Sequence, residues 1–456
     1  MRELHRELIE LLGERKVRGA TPDELAPYAR DESHCGAFAP GAVVLAESRA
    51  DVEATLRYAS ARHVPVTPCG ARTGKSGGSL PVHGGIALSL ERMDRILELH
   101  AGDGVIVVEP GVTTGRVMEA AEGAGLFYPP DPNSWETCTI GGNVAENAGG
   151  PRALKYGVTR DYVLGLEAVL PGGEVVRTGR RTVKGVAGYD LTALLVGSEG
   201  TLAVVTEITL RLVPLPRYVR TALCVFPDAV AAARAVSAVL GAGILPRTLE
   251  LLDDEAIAAA DRRGPFRFPA GAGAAILAET DGDDEGSVMA ALVRLSELAM
   301  EQGALDVLVA QAESQRRELW ATRRQVSTAL KALFPRKISE DVVVPRSRIP
   351  EAIARFKEIG RAHGLQVATY GHAGDGNLHT NVLFRDEAEL PAVEACLEAL
   401  MRATIELGGT ITGEHGVGLA KKPFLPWEQG PALLDLQRRL KAAFDPAGIL
   451  NPGKIF

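Results

Sequence analysis

One glycine-rich reversal, Tyr370 to Asn381, constrains the fold and the chemistry of this chain more than any other stretch. Its Asp375-Gly376 pair lies between two apolar runs, a pattern that predicts a β-hairpin. If the turn is centred on that pair, His372 lies opposite His379 on the neighbouring strand, with the two Cβ atoms roughly 4.5–5.5 Å apart. That separation would allow both imidazoles to hold one metal ion.

A third metal ligand is available in the segment Gly413 to Gly416, where Glu414 and His415 lie between glycines. Two histidines and one carboxylate leave coordination positions open, which is typical of a catalytic metal rather than a closed structural one. Asn381 falls on the same strand face as His379 because side chains alternate along a strand. A single histidine beside a turn usually satisfies backbone groups, so it is the combination with Glu414 that favours a metal.

Composition and charge exclude some function classes. The 456 residues suggest two or three domains. Lys and Arg total 50 against 58 Asp and Glu, giving a net charge of −8, and no basic run resembles a nucleic-acid footprint. The five cysteines are scattered and contain no C-x-x-C pair, so they suit a reducing compartment and cannot build an iron–sulfur cluster.

The first residues, Met1 to Leu8, are charged and helical in period, which is unlike a signal peptide. The most apolar stretch, Ala235 to Leu245, is about half of the ~20 residues that a membrane-spanning helix needs. We therefore expect no integral membrane segment and a cytoplasmic location, either free or peripheral at the inner membrane.

The pattern of elements predicts two α+β domains that meet at Pro214-Leu215-Pro216. A helix is expected within residues 1 to about 30, followed by a glycine-rich region up to about 215. In this region we predict strands at Val43–Leu45, Val64–Val66 and Thr201–Val213, a helix at Asp51–Arg62 and a hairpin at Val163–Thr178. Beyond it we predict helices at Asp228–Leu240, Gly286–Gln302 and Leu433–Phe444 and a strand at Ala274–Glu279.

Three loops of small residues indicate a bulky phosphate-bearing ligand. Gly70 to Gly78 follows a strand and could point several backbone N–H groups at phosphate oxygens. It is no Walker A loop, because Gly70 and Gly74 are one residue too close and no helix follows. The other loops are Cys138 to Gly150 and Gly197 to Thr201. No G-x-G-x-x-G follows a strand, so a Rossmann nicotinamide site is not supported.

With these loops and the histidine pair in view, the chain resembles the FAD-linked oxidases of the vanillyl-alcohol oxidase type. Within them it is most similar to the group of glycolate oxidase flavoprotein subunits and D-lactate dehydrogenases. The resemblance covers nearly the whole chain, and its motifs occur in the family's order. They are Gly70 to Gly78, Thr139-Ile140-Gly141-Gly142-Asn143, Gly197-Ser198-Glu199-Gly200-Thr201, Trp320-x-x-Arg323, Gly371-His372 to His379, Gly413-Glu414-His415-Gly416 and Asn451-Pro452-Gly453-Lys454.

The resemblance implies an α+β fold with three parts. An FAD-binding domain of two subdomains would cover residues 1–215, with the N-terminal helix up to about 30 and the FAD core from about 30. A cap domain with an antiparallel sheet and helices would cover residues 216–415, and residues 416–456 would return to the flavin. FAD should be bound non-covalently, because the first glycine loop holds no histidine to which flavin could be attached.

The resemblance also implies site residues. The pyrophosphate would lie on Gly70, Thr73, Gly74, Ser76, Gly77 and Gly78. The flavin would lie along Ser134, Thr137, Thr139, Gly142, Asn143 and Ala148, with Glu199 and Gly200 near the adenine side and Asn451 also at the cofactor. His372, His379 and Glu414 match the family's ligands for a divalent metal, which could be Zn, Mn or Fe. Arg72 and Lys75 depart from the glycine and leucine that relatives usually carry in the first loop.

The implied activity is oxidation of a small D-2-hydroxy acid, glycolate or D-lactate, to the 2-oxo acid, with hydride transfer to flavin N5. A metal bound to the hydroxyl oxygen would lower the hydroxyl pKa, and His415 would take the proton. Arg323 would pair with the substrate carboxylate through its planar fork, with Arg324 as its nearest rival. Asn381 and Lys337 are further candidates for substrate contact.

Three alternatives stay open at this stage. The substrate could be a larger acid of the D-2-hydroxyglutarate type. The histidine–glutamate set could belong to a metallohydrolase that activates water. The chain could also be a non-catalytic flavin-binding subunit, although such a subunit need not keep the metal set.

Reduced flavin must pass electrons outside the chain, to an iron–sulfur partner subunit, a quinone or a soluble carrier, and the oligomeric state is left open.

Overall fold

The computed structural model describes residues 2–456, so Met1 of the predicted N-terminal helix lies outside the described residues. The strands are β1 (Val17–Arg18), β2 (Ala42–Leu45), β3 (Val66–Cys69), β4 (Ile86–Ser89), β5 (Ile96–His100), β6 (Val105–Val108), β7 (Leu126–Phe127), β8 (Val163–Val169), β9 (Val175–Gly179), β10 (Val204–Arg211), β11 (Val213–Pro214), β12 (Tyr218–Phe226), β13 (Thr248–Leu252), β14 (Ala274–Gly282), β15 (Asp306–Val309), β16 (Arg336–Val343), β17 (Gln366–His372) and β18 (Asn377–Phe384). The helices are α1 (Arg2–Leu12), α2 (Pro22–Leu25), α3 (Arg49–Arg62), α4 (Thr114–Gly123), α5 (Ile140–Glu146), α6 (Ala153–Tyr156), α7 (Leu191–Leu195), α8 (Ala229–Gly241), α9 (Asp254–Arg263), α10 (Glu285–Glu301), α11 (Glu313–Leu333), α12 (Ile349–Ala362), α13 (Leu390–Glu406), α14 (Leu425–Glu428) and α15 (Pro431–Phe444).

The chain forms two compact units. The first unit holds the residues up to Gly149, residues 157–215 and residues 414–456, and the second unit holds residues 150–156 and 216–413. One division therefore falls at the proline-rich segment, and the other falls after Gly413, slightly before the expected limit at residue 415. The segment 150–156 carries α6, whose Lys155 Nζ donates to the main-chain oxygen of Asp281 at 2.9 Å within the second unit.

The first unit contains a small sheet in the order β1-β2-β4-β3 among the described residues, with β2, β4 and β3 parallel and β1 antiparallel. The predicted helix α3 connects the parallel strands β2 and β3, which need a crossover connection of this kind. Its buried face, with Val52 and Leu56, joins the apolar core under this sheet. The strand expected at Val64–Val66 begins only at Val66, because Val64 instead closes the turn after α3.

The second sheet of the first unit is antiparallel and runs β5-β6-β10-β8-β9 in the described part of the chain. The hairpin predicted at Val163–Thr178 is confirmed as β8 and β9. The long predicted strand is confirmed as the shorter β10. The C-terminal segment also belongs to this unit, since Leu450 is fully buried and the Asn451 N–H donates to the Val66 carbonyl at 2.7 Å.

The second unit is built on one antiparallel sheet, in the order β15-β12-β14-β13-β17-β18-β16 among residues 2–456. Helices α9 and α11 cover one face, where Leu252, Tyr370 and Trp320 share an apolar cluster. Helix α12 covers the other face, since Gly360 meets Val367, whose side chain alternates away from Tyr370. No helix in the described residues is both long and apolar enough to cross a membrane.

Candidate active site

The glycine loop after β3 meets the start of α5 inside the first unit. A Cβ on Gly70 would lie 2.4 Å from Thr139 Oγ1, so only glycine allows this approach. Thr139 caps α5 and accepts from the Gly142 N–H at 3.4 Å. The far side of the loop is held by Ser76, whose carbonyl accepts from the backbone N–H groups of Leu419 and Ala420. Two of the three predicted phosphate and flavin segments therefore lie side by side.

Several of the residues predicted to lie along the flavin form hydrogen bonds with other residues of the chain. Asn143 is buried, and its Nδ2 donates to Thr114 Oγ1 at 2.7 Å. The Ala148 carbonyl accepts from the hydroxyl of Thr159 at 2.7 Å. The Ser134 carbonyl accepts from the Thr137 hydroxyl at 3.2 Å in the turn before α5. These contacts fix the backbone along which the cofactor is expected to lie.

Glu199 and Asn451 connect the third glycine segment to the first loop and to the C-terminus. Glu199 adopts a left-handed backbone with φ of 52°, and its carboxylate accepts from the N–H groups of Val417 and Gly418, both at 2.7 Å. Asn451 Nδ2 donates to the carbonyls of Gly78 and Glu199 at 2.9 and 2.8 Å. Four sequence-distant segments thus meet at one junction of the first unit. Gly200 at this junction cannot carry a side chain, because its Cβ would lie 2.8 Å from Pro68.

Buried charges surround the same junction. Burial raises the pKa of Glu146 well above its ordinary value, and the neighbouring Glu199 and Asp31 raise it further. Burial also raises the pKa of Glu199, although the two backbone N–H bonds act in the opposite direction. Burial lowers the pKa of Lys454, which donates to the Leu80 carbonyl, to about 8. Both glutamates therefore release their protons less readily than exposed carboxyl groups do.

Gly74 offers a direct test of the phosphate loop. Nothing lies within 4 Å of a Cβ built on Gly74, and its φ is not positive, so Gly74→Ala should not disturb folding. If backbone N–H groups of this loop approach the pyrophosphate, the added methyl should weaken FAD binding by about ten-fold, or ~1.4 kcal/mol. Titration of the apoprotein with FAD measures this. Gly123→Ala, at an equally open site on α4, is the control, and an unchanged FAD affinity in Gly74→Ala would contradict the role.

The histidine hairpin of the second unit is confirmed, but its predicted register is wrong. His372 pairs with Asn377 and Tyr370 pairs with His379, because the turn spans Ala373 to Gly376 rather than only its last two residues. His372 and His379 are therefore diagonal neighbours on one sheet face instead of a directly opposed pair. Both side chains are buried.

The two imidazoles nevertheless converge. His372 Nε2 lies 3.4 Å from His379 Nε2, and the rings are nearly perpendicular. Two nitrogens held at roughly 2.0–2.1 Å from one tetrahedral metal are about 3.3–3.4 Å apart, so the pair fits two metal ligands. The same distance suits an N–H···N hydrogen bond if one ring is protonated at Nε2, and metal analysis separates the two cases.

Two buried carboxylates that were not predicted from the sequence lie beside the histidines. Glu250 Oε1 lies 2.6 Å from His372 Nδ1, and Asp341 Oδ1 lies 3.7 Å from His379 Nδ1. Asp341 also accepts from Asn377 Nδ2 at 2.5 Å and from the Gly413 N–H at 2.9 Å. Glu250 is the single acidic residue of the otherwise mostly apolar strand Thr248–Leu252, whereas Asp341 follows Glu340 in a strand that also carries Arg336 and Lys337. Metal-binding histidines commonly have such carboxylate partners.

Arg323 lies on the same sheet face, where α11 buries it. Its Nη2 is 2.5 Å from Glu250 Oε2, and its guanidinium carbon lies 5.0 Å from the centroid of the Tyr370 ring. Its Nε is buried and has no hydrogen-bond partner within residues 2–456. Since buried donors are normally paired, this Nε–H indicates a ligand, and a carboxylate oxygen would suit it. The rival Arg324 is exposed.

Asn381 and Lys337 form a small polar group further along the same face. Lys337 Nζ donates to Asn381 Oδ1 at 3.1 Å and to Ser327 Oγ at 2.8 Å. Asn381 Nδ2 donates to the carbonyls of His379 and Ala368. The Asn381 amide is thus committed to the sheet, and substrate contact would require it to exchange a partner.

Glu414 and His415 belong to the first unit and directly follow Gly413, the last residue of the second. Within the first unit, a Cβ on Gly149 would lie 2.9 Å from Glu414 Oε2. The second unit thus brings together His372, His379, Asn381 and Arg323. Glu414 and His415 lie in the first unit.

Comparison with known proteins identifies the class. A family model for an FAD binding domain matches residues 40–179, and one for the C-terminal domain of FAD linked oxidases matches residues 215–455. The protein is therefore an FAD-dependent oxidoreductase. The chain belongs to the family of FAD-linked oxidases, which confirms the resemblance, the α+β fold class and FAD as the cofactor.

Individual relatives agree with this assignment. The chain is 40% identical over 457 residues to the glycolate oxidase subunit GlcD of Bacillus subtilis, covering 100% of this chain and 97% of that protein. It is 36% identical over 454 residues to a D-lactate dehydrogenase of Anaerostipes hadrus, covering 98% and 94%. The crystal structure of p-cresol methylhydroxylase with substrate bound has a TM-score of 0.84 at 18% identity, covering 100% of this chain and 96% of that one, which shows the fold alone.

Proposed function

We propose that the protein oxidises a small D-2-hydroxy acid, glycolate or D-lactate, to the corresponding 2-oxo acid. The proposal rests on one sheet face, where Glu250 links two converging imidazoles to a buried arginine. The Nε–H of this arginine has no hydrogen-bond partner within the described residues 2–456. An α-hydroxy carboxylate offers one group for each half of this arrangement. Relatives named as a glycolate oxidase subunit and a D-lactate dehydrogenase support the same substrate class.

We assign the divalent metal to His372, His379 and Glu414. The 3.4 Å separation of the histidine Nε2 atoms supports the first two ligands, and the family resemblance supports Glu414. A mixed nitrogen and oxygen set suits Zn, Mn or Fe. When bound, the metal would act as a Lewis acid that lowers the pKa of the substrate hydroxyl.

The protein side chains would bind and orient the acid and move its proton. Arg323 would donate its Nε–H to the substrate carboxylate, and its contact with the Tyr370 ring would limit its rotation. His415 would accept the hydroxyl proton as general base, since an imidazole titrates near neutral pH. Asn381 would support this face through its bonds to the backbone and to Lys337.

We further propose that the FAD domain lies within residues 1–215, that residues 216–415 are the cap and that residues 416–456 complete the cofactor site. FAD would be held non-covalently by the glycine loops and, when bound, would supply the two-electron acceptor for the C2 hydride. Electrons would then leave to an external acceptor, for which an iron–sulfur partner subunit is one candidate. The site of action would be the cytoplasm or the inner-membrane surface.

A larger acid of the D-2-hydroxyglutarate type is the second candidate substrate. Lys337 lies beside Asn381 on the same sheet face, and a second carboxylate would suit this ammonium group. The position of Lys337 is the observation that favours a diacid over D-lactate.

The experiment is a screen of purified protein with glycolate, D-lactate, L-lactate and D-2-hydroxyglutarate and an artificial electron acceptor. We expect turnover with at least one D-2-hydroxy acid or glycolate, and its loss after treatment with a chelator. Failure with all four acids in a flavin-loaded, metal-replete sample would contradict the proposal. Equal turnover of both lactates would contradict the assigned stereochemistry.

A further inference from the structure

Glu250 is a buried acidic residue to which the proposed reaction assigns no role of its own. It lies in the middle of β13, is fully buried and faces both the histidine pair and α11. One carboxylate oxygen is 2.6 Å from His372 Nδ1, and the other is 2.5 Å from Arg323 Nη2. A buried carboxylate is costly unless it is paired, and here one oxygen contacts His372 while the other forms an ion pair with Arg323.

The contact between Glu250 and His372 determines which ring nitrogen of His372 carries the proton. His372 Nδ1 is within hydrogen-bond distance of Glu250 Oε1, and a carboxylate oxygen accepts, so a neutral His372 carries its proton on Nδ1. Its Nε2 lone pair then points toward His379 Nε2, as a metal ligand requires.

The contact with Arg323 determines which guanidinium edge is free. Nη2 is held by Glu250, and the guanidinium packs against the Tyr370 ring. The Nε–H is then the buried donor left for a ligand among the described residues. Glu250 therefore determines which nitrogen of His372 carries the free lone pair and which edge of the Arg323 guanidinium faces a ligand.

We propose that Glu250 is a positioning residue that couples the metal ligand His372 to the substrate-binding arginine Arg323. This inference rests on the proposed function, since it assumes a metal at His372 and a carboxylate at Arg323. Glu250 itself touches neither the metal nor the substrate. It acts by orienting the two side chains that do.

The test replaces Glu250 by glutamine, which keeps the shape but lets the side-chain amide donate to His372 and removes the charge. We expect the affinity of the holoenzyme for Zn²⁺, measured by competition with a chromophoric chelator, to fall about 10- to 100-fold. We also expect KM for the acid to rise while FAD content is unchanged. Glu250→Asp, which keeps the charge but shortens the reach, should also lose Zn²⁺ affinity and provides a second variant if glutamine prevents folding.

Glu279→Gln is the matched control. Glu279 is an equally buried carboxylate on the neighbouring strand β14, and it also binds α11, through Trp320 Nε1 at 2.7 Å and Arg316 Nη1 at 3.1 Å. Its third side-chain hydrogen bond comes from Thr221 Oγ1 on β12 at 2.7 Å, on the side of β14 away from β13. We expect its loss to lower the melting temperature without changing Zn²⁺ affinity, so a purely structural role for Glu250 would give the two variants the same behaviour.

A double-mutant cycle with His372→Ala separates the inference from the function. If Glu250 acts through His372, Glu250→Gln should have little further effect on Zn²⁺ affinity once His372 is gone. Additive losses, or wild-type Zn²⁺ affinity in Glu250→Gln while His372→Ala loses it, would overturn the positioning role alone. Absence of Zn²⁺ binding that depends on His372 in the parent protein would overturn both the role and the proposed metal site.

Discussion

Replacing His379 with alanine should lower turnover of the 2-hydroxy acid by about a thousand-fold or more and leave FAD bound. His379 provides one of the two converging Nε2 atoms, and a metal that acidifies the hydroxyl is worth several kcal/mol, with each 1.36 kcal/mol equal to about ten-fold in rate. The measurement combines steady-state kinetics, metal analysis and the flavin absorbance of the purified variant. The metal content should fall with the rate.

His363→Ala is the control for this variant. His363 is the C-cap residue of α12 in the same unit, where its Nδ1 is 2.9 Å from the Ile359 carbonyl, and it lies before β17 rather than within the hairpin. Its replacement should leave both metal content and turnover near wild type. Near-normal turnover in His379→Ala, or loss of FAD from it, would be incompatible with the assigned role of this histidine.

Replacing Arg323 with alanine should reduce kcat/KM by roughly 10- to 200-fold, the equivalent of losing a charged hydrogen bond worth about 1.5–3 kcal/mol. The variant should also be less stable, because Glu250 loses one partner of a buried ion pair, a loss that typically costs about 3–5 kcal/mol. The FAD content should stay at the wild-type level. Kinetics, thermal melting and flavin quantification distinguish these effects.

Arg324→Ala isolates the contribution of the buried arginine. Arg324 is the next residue on the same helix but is exposed, so its loss should change neither kcat/KM nor melting temperature appreciably. If Arg324→Ala were the damaging substitution, the substrate carboxylate would have to be assigned to the other arginine. Equal turnover in Arg323→Ala and Arg324→Ala would show that neither arginine of α11 binds the substrate carboxylate.

The sequence predicted the hairpin but not its register, for a local reason. Asp375-Gly376 can form the whole of a two-residue turn or the end of a longer one, and both are common. In this protein Gly376 has φ of 90°, and a Cβ there would lie 2.1 Å from the Val344 carbonyl. The close approach of β16, 32 residues earlier in the sequence, selects the longer turn, and local patterns hold no such information.

The supporting carboxylates could not be found by the same reasoning. Glu250 and His372 are 122 residues apart and meet because β13 pairs with β17. A single acidic residue in an apolar strand indicates only that a buried partner must exist. Likewise, helical pattern alone marked Arg323 as one of several arginines on a charged helix, and only the family motif Trp320-x-x-Arg323 favoured it. The packing of α11 adds a physical distinction, because it buries Arg323 and leaves Arg324 exposed.

The glycine segments, in contrast, could be assigned a function from the sequence. Their density and order were enough to predict a phosphate-bearing cofactor and the FAD-linked oxidase family, which the family matches confirm. The internal contacts of Asn143, Glu199 and Asn451 could not be read from glycine spacing, since each joins segments brought together by the fold. These side chains fix the backbone that is expected to meet the cofactor.

The most direct test of the two-cofactor account is anaerobic mixing of the oxidised, FAD-loaded protein with D-lactate or glycolate while the visible flavin absorbance is followed. We expect one of these acids to bleach the flavin, prior removal of the metal to abolish bleaching, and addition of Zn²⁺ or Mn²⁺ to restore it. Bleaching that is unaffected by complete metal removal, or a metal-replete flavin that neither acid reduces, would contradict it.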